Sequence, residues 1–399
     1  MISLAMIVRD EAARLPSCLA SAAPAVDEIV VVDTGSADGT PEIARAHGAR
    51  VVVWPWRDDF AAARNESLRH ARGDWVLVLD ADERLAPGAA AHVRRLVAEG
   101  TVDGVDCRLV STLPAGGLAT TVAHWYCRLF RRRPGVQFAG RVHEQVAPSI
   151  HALGGRIVRS DIVILHDGYA VPDGTKLARN LALLRATLAE RPEDAFALFN
   201  LGLTLHALGD APAAADALQR ALASPTAPLA RELRAMAWST LAELHARREQ
   251  WDAAAAAAEQ ALAHEPDLAV ARYVLGRARF ARGALAEAAR LFDALADAPA
   301  DALGMRLAPT AVAVARAVVR LRRRQWAAAA SLLEPVASLD PTGEAAFHLG
   351  NAYLGLGRLA AAADAYALAR RRGVRDPALA RRLALLARLG HRTTAAAGG

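Results

Sequence analysis

The feature that most constrains the fold of this chain is a helical pattern that recurs through its C-terminal half. From about residue 173 onward the sequence is rich in alanine and carries no strand-like runs. A leucine followed by a small residue recurs in phase, at Leu201-Gly202, Leu241-Ala242, Leu275-Gly276 and Leu349-Gly350. Because each helix pair of such a repeat buries its apolar face against the next pair, the pattern predicts a solenoid.

The spacing of large, small and proline positions identifies the type of repeat. The second copy fills these positions with Trp238, Leu241, Ala242, Ala254, Ala258, Ala261 and Pro266. The third copy begins 34 residues later and matches at Leu275, Gly276, Ala288 and Phe292. This pattern resembles tetratricopeptide repeats. The resemblance implies an all-α array with a concave groove over residues 192–391, closed by a C-terminal cap helix, and we expect residues 392–399 to form a disordered tail.

The N-terminal part of the chain follows a different pattern. Valine-rich runs, such as "EIVVVD", "ARVVVW" and "DWVLVLD", alternate with helix-like segments. Continuous apolar strands separated by helices are typical of a mainly parallel sheet that helices cover on both faces. We therefore predict an α/β domain over residues 1–172 and a linking helix over residues 173–191. In such sheets, ligands bind at the carboxyl ends of the strands.

Composition excludes several classes of protein. The net charge of +6 comes without a long Lys/Arg block, which argues against a nucleic-acid partner. Cys18, Cys107 and Cys127 are odd in number and lack the spacing of a metal site, which suits a reducing compartment. No apolar run approaches the roughly 18 residues of a membrane span, and the first residues are typical of a strand and not of a signal peptide. We expect a cytoplasmic protein without a transmembrane segment.

Two acids, Asp80 and Asp82, directly follow the apolar run "WVLVL". Alternate residues of a strand share a face, so the two carboxylates can converge on one ligand. Hard oxygen donors favour Mg²⁺ or Mn²⁺, particularly when phosphate oxygens complete the coordination shell. The alternative is structural: Asp82 caps the next turn and Asp80 is exposed.

A second strand ends at Asp33, and the tight turn "TGSADG" with Gly35 leads from it into a helix. The free amides of a helix N-terminus favour an anionic or hydrogen-bonding ligand, although an ordinary strand-turn-helix cap would have the same pattern. The sequence contains neither the glycine pattern of a Rossmann dinucleotide site nor a P-loop.

Arg64 lies on a helical stripe with Phe60 and Leu68. A buried arginine is costly unless it meets an anion. That anion is either the phosphate of a ligand or a structural carboxylate such as Asp33 or Asp80.

Four segments of the N-terminal part together resemble family 2 glycosyltransferases of the GT-A fold. They are "MIVRDEAARLPSCLAS", "IVVVDTGSADGT", "DFAAARNESLRHARGDWVLVLDADE" and "CRLFRRRPGVQFAGRVHEQV". With the repeats, the chain is similar in particular to the subgroup that includes the sublancin-type peptide S-glycosyltransferases. The resemblance implies a nucleotide-diphospho-sugar transferase-like GT-A domain followed by an all-α tetratricopeptide-repeat solenoid.

The resemblance also implies roles for individual residues. Glu11 and Asp33, with the turn at Gly35, would hold the nucleoside, Asp80 would approach the ribose and diphosphate, and Asp82 would bind the metal. Asp80 is also our candidate for a second metal ligand. The chain departs from the family pattern at Asp10, which stands where an asparagine is usual and where the family contacts the base.

Two further sites follow the aromatic strand "GVQFAG" and the late strand "SDIVILHDGY". An inverting sugar transfer needs a base that takes the acceptor's proton, and Glu144 is our candidate, with His143 as its substitute. A loop salt bridge from Glu144 to Arg141 or Arg128 is the structural alternative. His166 ends the late strand, where a histidine often completes the metal shell of GT-A enzymes. A structural histidine at the strand end, with its hydrogen bonds satisfied, is the alternative.

These residues predict a metal-dependent glycosyltransferase that uses Mn²⁺ or Mg²⁺ and a nucleotide-diphosphate sugar, with a UDP-sugar favoured. Inversion follows from the resemblance alone. The repeat groove would bind a peptide or protein acceptor, or the array would form a homodimer. The alternative function is a repeat scaffold whose GT-A domain is catalytically silent.

Overall fold

A computed structural model describes residues 1–113, 118–166, 174–224, 229–296, 298, 300–301 and 304–396. The chain divides into two compact units. The first unit comprises residues 1–113 and 121–230, and the second comprises residues 114–120 and 231–399. Among the described residues, no helix combines the length and apolar content that crossing a bilayer requires.

The first unit is built on a sheet whose central strands are buried on both faces. The strands are β1 (Ile2–Val8), β2 (Glu28–Asp33), β3 (Arg50–Val53), β4 (Trp75–Val78), β5 (Glu83–Leu85), β6 (Gly104–Thr112), β7 (Ala119–Arg131) and β8 (Ile157–His166). The helices are α1 (Leu15–Ala22), α2 (Thr40–Ala46), α3 (Phe60–His70), α4 (Ala89–Glu99), α5 (Ala147–Ala152), α6 (Gly174–Glu190), α7 (Ala195–Ala207) and α8 (Ala211–Ala223). Helix α6 occupies the position of the predicted linking helix.

The strand order is β3-β2-β1-β4-β7-β6-β8-β5. The predicted parallel arrangement holds for β3, β2, β1 and β4. The apolar runs of β1 and β4 and the end of β2 are buried, whereas the edge strand β3 is partly exposed. Beyond β4 the sheet is mixed, because β7 runs antiparallel to both β4 and β6 and β5 runs antiparallel to β8. Strand β6 pairs in parallel with β8. The short strand β5 follows β4 closely in the chain and pairs with β8, so it connects the ends of these two strands.

The second unit is an array of helix pairs. Its elements are α9 (Arg231–Arg247), α10 (Trp251–His264), α11 (Ala269–Ala281), α12 (Leu285–Asp293), β9 (Arg306–Leu307), α13 (Pro309–Arg322), α14 (Trp326–Leu333), α15 (Glu344–Gly355), α16 (Leu359–Arg371) and α17 (Pro377–Ala396). The prediction that an α/β domain is followed by an all-α array is confirmed. Helix α17 includes residues 392–396, which the sequence assigned to a disordered tail, and residues 397–399 lie outside the described residues.

The in-phase glycines lie where two helices of a pair come into close contact. A methyl group added at Gly276 of α11 would meet the ring of Phe292 of α12 at 2.6 Å. Gly350 of α15 faces the ring of Tyr366 of α16 in the same way. Each small residue therefore accommodates an aromatic ring sixteen residues later in the sequence. Both rings are almost completely buried, so they have little room to shift.

We predict that Gly276→Ala lowers the free energy of unfolding by about 1–3 kcal/mol, because the added methyl group overpacks the ring of Phe292. Alanine favours a helix by about 1 kcal/mol over glycine, so the overpacking must outweigh that gain. Urea unfolding monitored by circular dichroism measures the change. In the double variant with Phe292→Leu the cost should be smaller than the sum of the two single costs.

Gly174→Ala is the matched control, because no atom lies within 4 Å of a methyl group built there. If Gly276→Ala were as well tolerated as Gly174→Ala, the close contact would not limit the packing of the pair.

Candidate functional site

A cavity of about 450 Å³ lies in the first unit, where β4, β5 and β8 end. It brings together most of the residues that the sequence singled out. Those lining it are Glu11, Arg64, Asp80, Asp82, His143, Glu144 and His166. Asp33 and Gly35 do not line this cavity, although Thr34 beside them does.

Arg64 is the buried cation of the cavity. Asp59 is the N-cap of helix α3, and its carboxylate accepts from the amide of Ala62. Arg64 lies on the buried face of this helix and is 4% exposed. Arg64 Nη2 donates to Asp80 Oδ1, and its Nε donates to Glu144 Oε1 at 2.7 Å. Burial would lower the pKa of Arg64, but the two carboxylates raise it. The structural carboxylate that the sequence proposed as its partner is therefore present, and it is Asp80.

Arg128 holds the other oxygen of Asp80. Its Nη2 lies 3.1 Å from Asp80 Oδ2 and 2.6 Å from Glu83 Oε1. Burial would raise the pKa of Asp80, but the guanidiniums of Arg64 and Arg128 outweigh burial and hold that pKa below its usual range. For Glu83 the balance is reversed: burial and the neighbouring Asp80 raise its pKa to about 7, although Arg128 opposes them.

The roles of Arg128 at Asp80 and of Glu83 could not be predicted from the sequence. Glu83 is 1% exposed, and its Oε2 accepts from the amide of Asp80 at 2.9 Å. Glu83 therefore fixes the backbone of the Asp80–Asp82 segment. Only the antiparallel position of β7 beside β4 brings Arg128 there, and that pairing gave no clear signal in the sequence.

Asp82 faces His166. The Oδ2 atom of Asp82 lies 3.4 Å from His166 Nε2, and the hydroxyl of Ser111 is 3.0 Å from His166 Nδ1. This geometry follows from register, because His166 of β8 stands opposite Ser111 of β6 and Glu83 of β5. Burial would lower the pKa of His166, but the hydrogen bond and negative charge of Asp82 raise it.

The Asp82–His166 pair fits a divalent cation in part. Imidazole and carboxylate both suit Mn²⁺. A metal-binding imidazole is oriented by the hydrogen bond that its other ring N–H donates, and the hydroxyl of Ser111 is placed to accept it from Nδ1. Within the part of the chain that the structure describes, no three acidic, histidine or cysteine side chains form a metal site on their own. A cation at this pair would therefore need oxygen atoms from a ligand. Whether Asp80 shares the metal stays a prediction, since its two oxygens accept from arginines.

The loop that carries Glu144 is fixed by helix α3. The side chain of Asn65 donates to the carbonyl of Phe138 at 3.0 Å and accepts from the amide of Phe138 at 2.8 Å. Glu144 is 12% exposed and pairs with Arg64, whereas Arg141 pairs with Glu190. A salt bridge from Glu144 to Arg141, one form of the structural alternative, is therefore absent from the described residues.

The neighbouring His143 has a φ of 56°, and burial lowers its pKa. A neutral imidazole can accept a proton, which keeps His143 as the substitute base.

Asp33 shapes the turn that follows β2. It is 3% exposed, and its carboxylate accepts from the amides of Gly35 and Ser36 and from the hydroxyl of Ser36. Gly35 has a φ of 108°, which favours glycine. Asp10, the departure from the family pattern, accepts from the amide of Ala37 at 2.7 Å and so ties this turn to the end of β1. A contact of Asp33 with a nucleoside stays a prediction.

The fold and the site define a class: an α/β domain with an acidic strand end opposite a histidine, followed by helical repeats. Residues 3–149 match the glycosyl transferase family 2 model. Residues 176–228, 239–302 and 314–377 match the tetratricopeptide repeat model. The chain therefore combines a glycosyl transferase family 2 domain with tetratricopeptide repeats, as the resemblance implied.

The curated relatives agree with this combination. A TPR repeat-containing protein of Synechococcus elongatus is 40% identical over 231 residues, which cover 55% of this chain and 56% of the relative. The SPbeta prophage-derived glycosyltransferase SunS of Bacillus subtilis is 28% identical over 229 residues, covering 55% and 53%. The chain thus spans about half the length of these relatives. In the crystal structure of the APC/C hetero-tetramer Cut9-Hcn1, one chain aligns with this protein over 54% of this chain and 40% of the matched chain. The sequence identity is 16% and the TM-score is 0.44.

We predict that Arg64→Met lowers the free energy of unfolding by about 2–4 kcal/mol, because Glu144 loses its buried cation and Asp80 loses one of two. The value lies below that of a fully buried pair because Asp80 is 37% exposed. Urea unfolding measures it. Adding Glu144→Gln to the Arg64→Met variant should restore part of the loss.

The control is Arg69→Met on the same helix. Arg69 is exposed and pairs with Glu66, so its removal should cost clearly less than the removal of Arg64. Equal costs for the two substitutions would show that Arg64 does not compensate the carboxylates of the cavity.

Proposed function

We propose that the protein is a metal-dependent glycosyltransferase that transfers a sugar from a nucleotide-diphosphate donor to a peptide or protein acceptor. One observation carries the proposal. A single cavity contains the Asp82–His166 pair, the arginine-bound Asp80 and the acid Glu144. The match to glycosyl transferase family 2 over residues 3–149 supports the same reaction.

Asp82 and His166 would hold Mn²⁺ or Mg²⁺, which when bound neutralises charge that develops on the leaving diphosphate. Other cations of the chain can assist. Lys176 and Arg179 of α6 line the same cavity. The buried Nη1 of Arg64 makes no hydrogen bond within the described residues, so it could donate to a phosphate oxygen. A UDP-sugar is the donor that we favour, with the nucleoside near Glu11 and Asp33.

Glu144 would serve as the base. Arg64 holds its Oε1 atom, which fixes the carboxylate and leaves Oε2 to accept a proton. As the acceptor atom attacks the anomeric carbon, its proton passes to Glu144 and the bond between that carbon and the diphosphate oxygen breaks. A single displacement of this kind inverts the anomeric carbon. The concave surface of the repeats would bind the peptide or protein that carries the acceptor atom, although formation of a homodimer is the other use of such an array.

We predict that the purified protein releases nucleotide from at least one UDP-, GDP- or dTDP-sugar in the presence of Mn²⁺. Asp82→Asn should reduce this release by about a hundredfold or more, because it removes the charged ligand that balances the cation. Chelation of the metal should have the same effect, and nucleotide release is followed by chromatography. The matched control is Asp161→Asn, an exposed residue of β8 outside the cavity, which should release nucleotide at the original rate.

The rival functions give different results. If the protein neither bound nor turned over any of these donors, the domain would be a silent part of a repeat scaffold. Full turnover by Asp82→Asn would instead refute its assignment as a metal ligand.

A further inference from the structure

A second cavity, of about 260 Å³, lies within the second unit. Its walls come from the first helix of successive pairs, namely α9, α11, α13 and α15. Apolar side chains such as Val274 and Val314 line part of it. At this volume the cavity is smaller than a typical small-molecule site and is closer to the size of a single long side chain.

Glu243 of α9 is the unusual member of the wall. Within the described residues its carboxylate makes no hydrogen bond and no ion pair closer than 4 Å. Burial raises the pKa of Glu243 to about 7, and Arg247, one turn further along α9, opposes this only in part. The Glu243 side chain is partly buried and lines the cavity, where a ligand can supply the missing partner of its carboxylate.

An aromatic residue lies at the same cavity. The ring of Tyr273 packs against Phe292 with 5.7 Å between ring centroids, and burial raises the pKa of its hydroxyl. Exposed Glu344 adds a second carboxylate to the wall. Carboxylates beside an aromatic ring attract cations. The guanidinium of Arg277, which also lines the cavity, lies over the ring of Trp251 at 5.4 Å.

We propose that this cavity binds the lysine or arginine side chain of a peptide segment, with Glu243 as its counter-ion. The methylene groups of such a side chain would pack against the apolar wall while its charged end reaches Glu243. The inference rests on the proposed function in one respect: the peptide bound here is the acceptor, which would then carry a basic residue in addition to the residue that is glycosylated.

The test is affinity selection on the immobilised full chain, without nucleotide sugar. The probes are heptapeptide mixtures that are randomised at six positions and carry Lys, Arg, Gln or Glu at the centre. We expect at least tenfold enrichment of the Lys or Arg mixture over the Gln and Glu mixtures. Glu243→Gln should abolish that enrichment, while Asp364→Asn, an exposed carboxylate of α16 outside the cavity, should retain it.

Folding and catalysis are controlled separately. Glu243→Gln should keep or raise the melting temperature at pH 8, because it removes a partly buried charge that has no partner within the described residues. Asp82→Asn should leave peptide selection unchanged, so a failed transferase assay and a failed peptide assay are distinguishable. Selection of the Glu mixture, equal retention of all four mixtures, or unchanged enrichment in Glu243→Gln would each overturn the proposal.

Discussion

The N-terminal site depends on one buried guanidinium. Arg64 joins the end of β4, through Asp80, to the loop that carries Glu144. A buried carboxylate is costly unless a cation compensates it. Asp80 also pairs with Arg128, and Arg64 donates to both Asp80 and Glu144. Its neighbour Asn65 fixes the same loop at Phe138, so two consecutive residues of α3 assemble the acidic wall of the cavity.

The opposite wall is assembled by strand register. Strand β8 lies between β6 and β5, which brings His166 beside Ser111 on one side and Asp82 on the other. Asp80 and Asp82 thus have different partners although they are only one residue apart. Asp80 accepts hydrogen bonds from two arginines, whereas Asp82 pairs with a histidine. Because their partners differ, we propose that Asp82 binds the metal and that Asp80 stabilises the structure of the site.

Sequence patterns predicted the parts of this structure that depend on local periodicity. The parallel strands placed Asp80 and Asp82 at a sheet edge, and the in-phase Leu-small pairs predicted the repeat array before any contact was known. Partners that depend on long-range pairing were not predictable, because Arg128 reaches Asp80 only through the antiparallel β7. The unpartnered carboxylate of Glu243 likewise arises only when separate helix pairs come together.

The most direct test of the central claim is a crystal structure of the protein with Mn²⁺ and UDP, measured for anomalous scattering by manganese. We expect one manganese peak within bonding distance of Asp82 and His166, with oxygen atoms of the diphosphate completing its shell. Asp80 should remain paired with Arg64 and Arg128. Manganese bound elsewhere, or UDP bound in the cavity with no metal at Asp82, would contradict it.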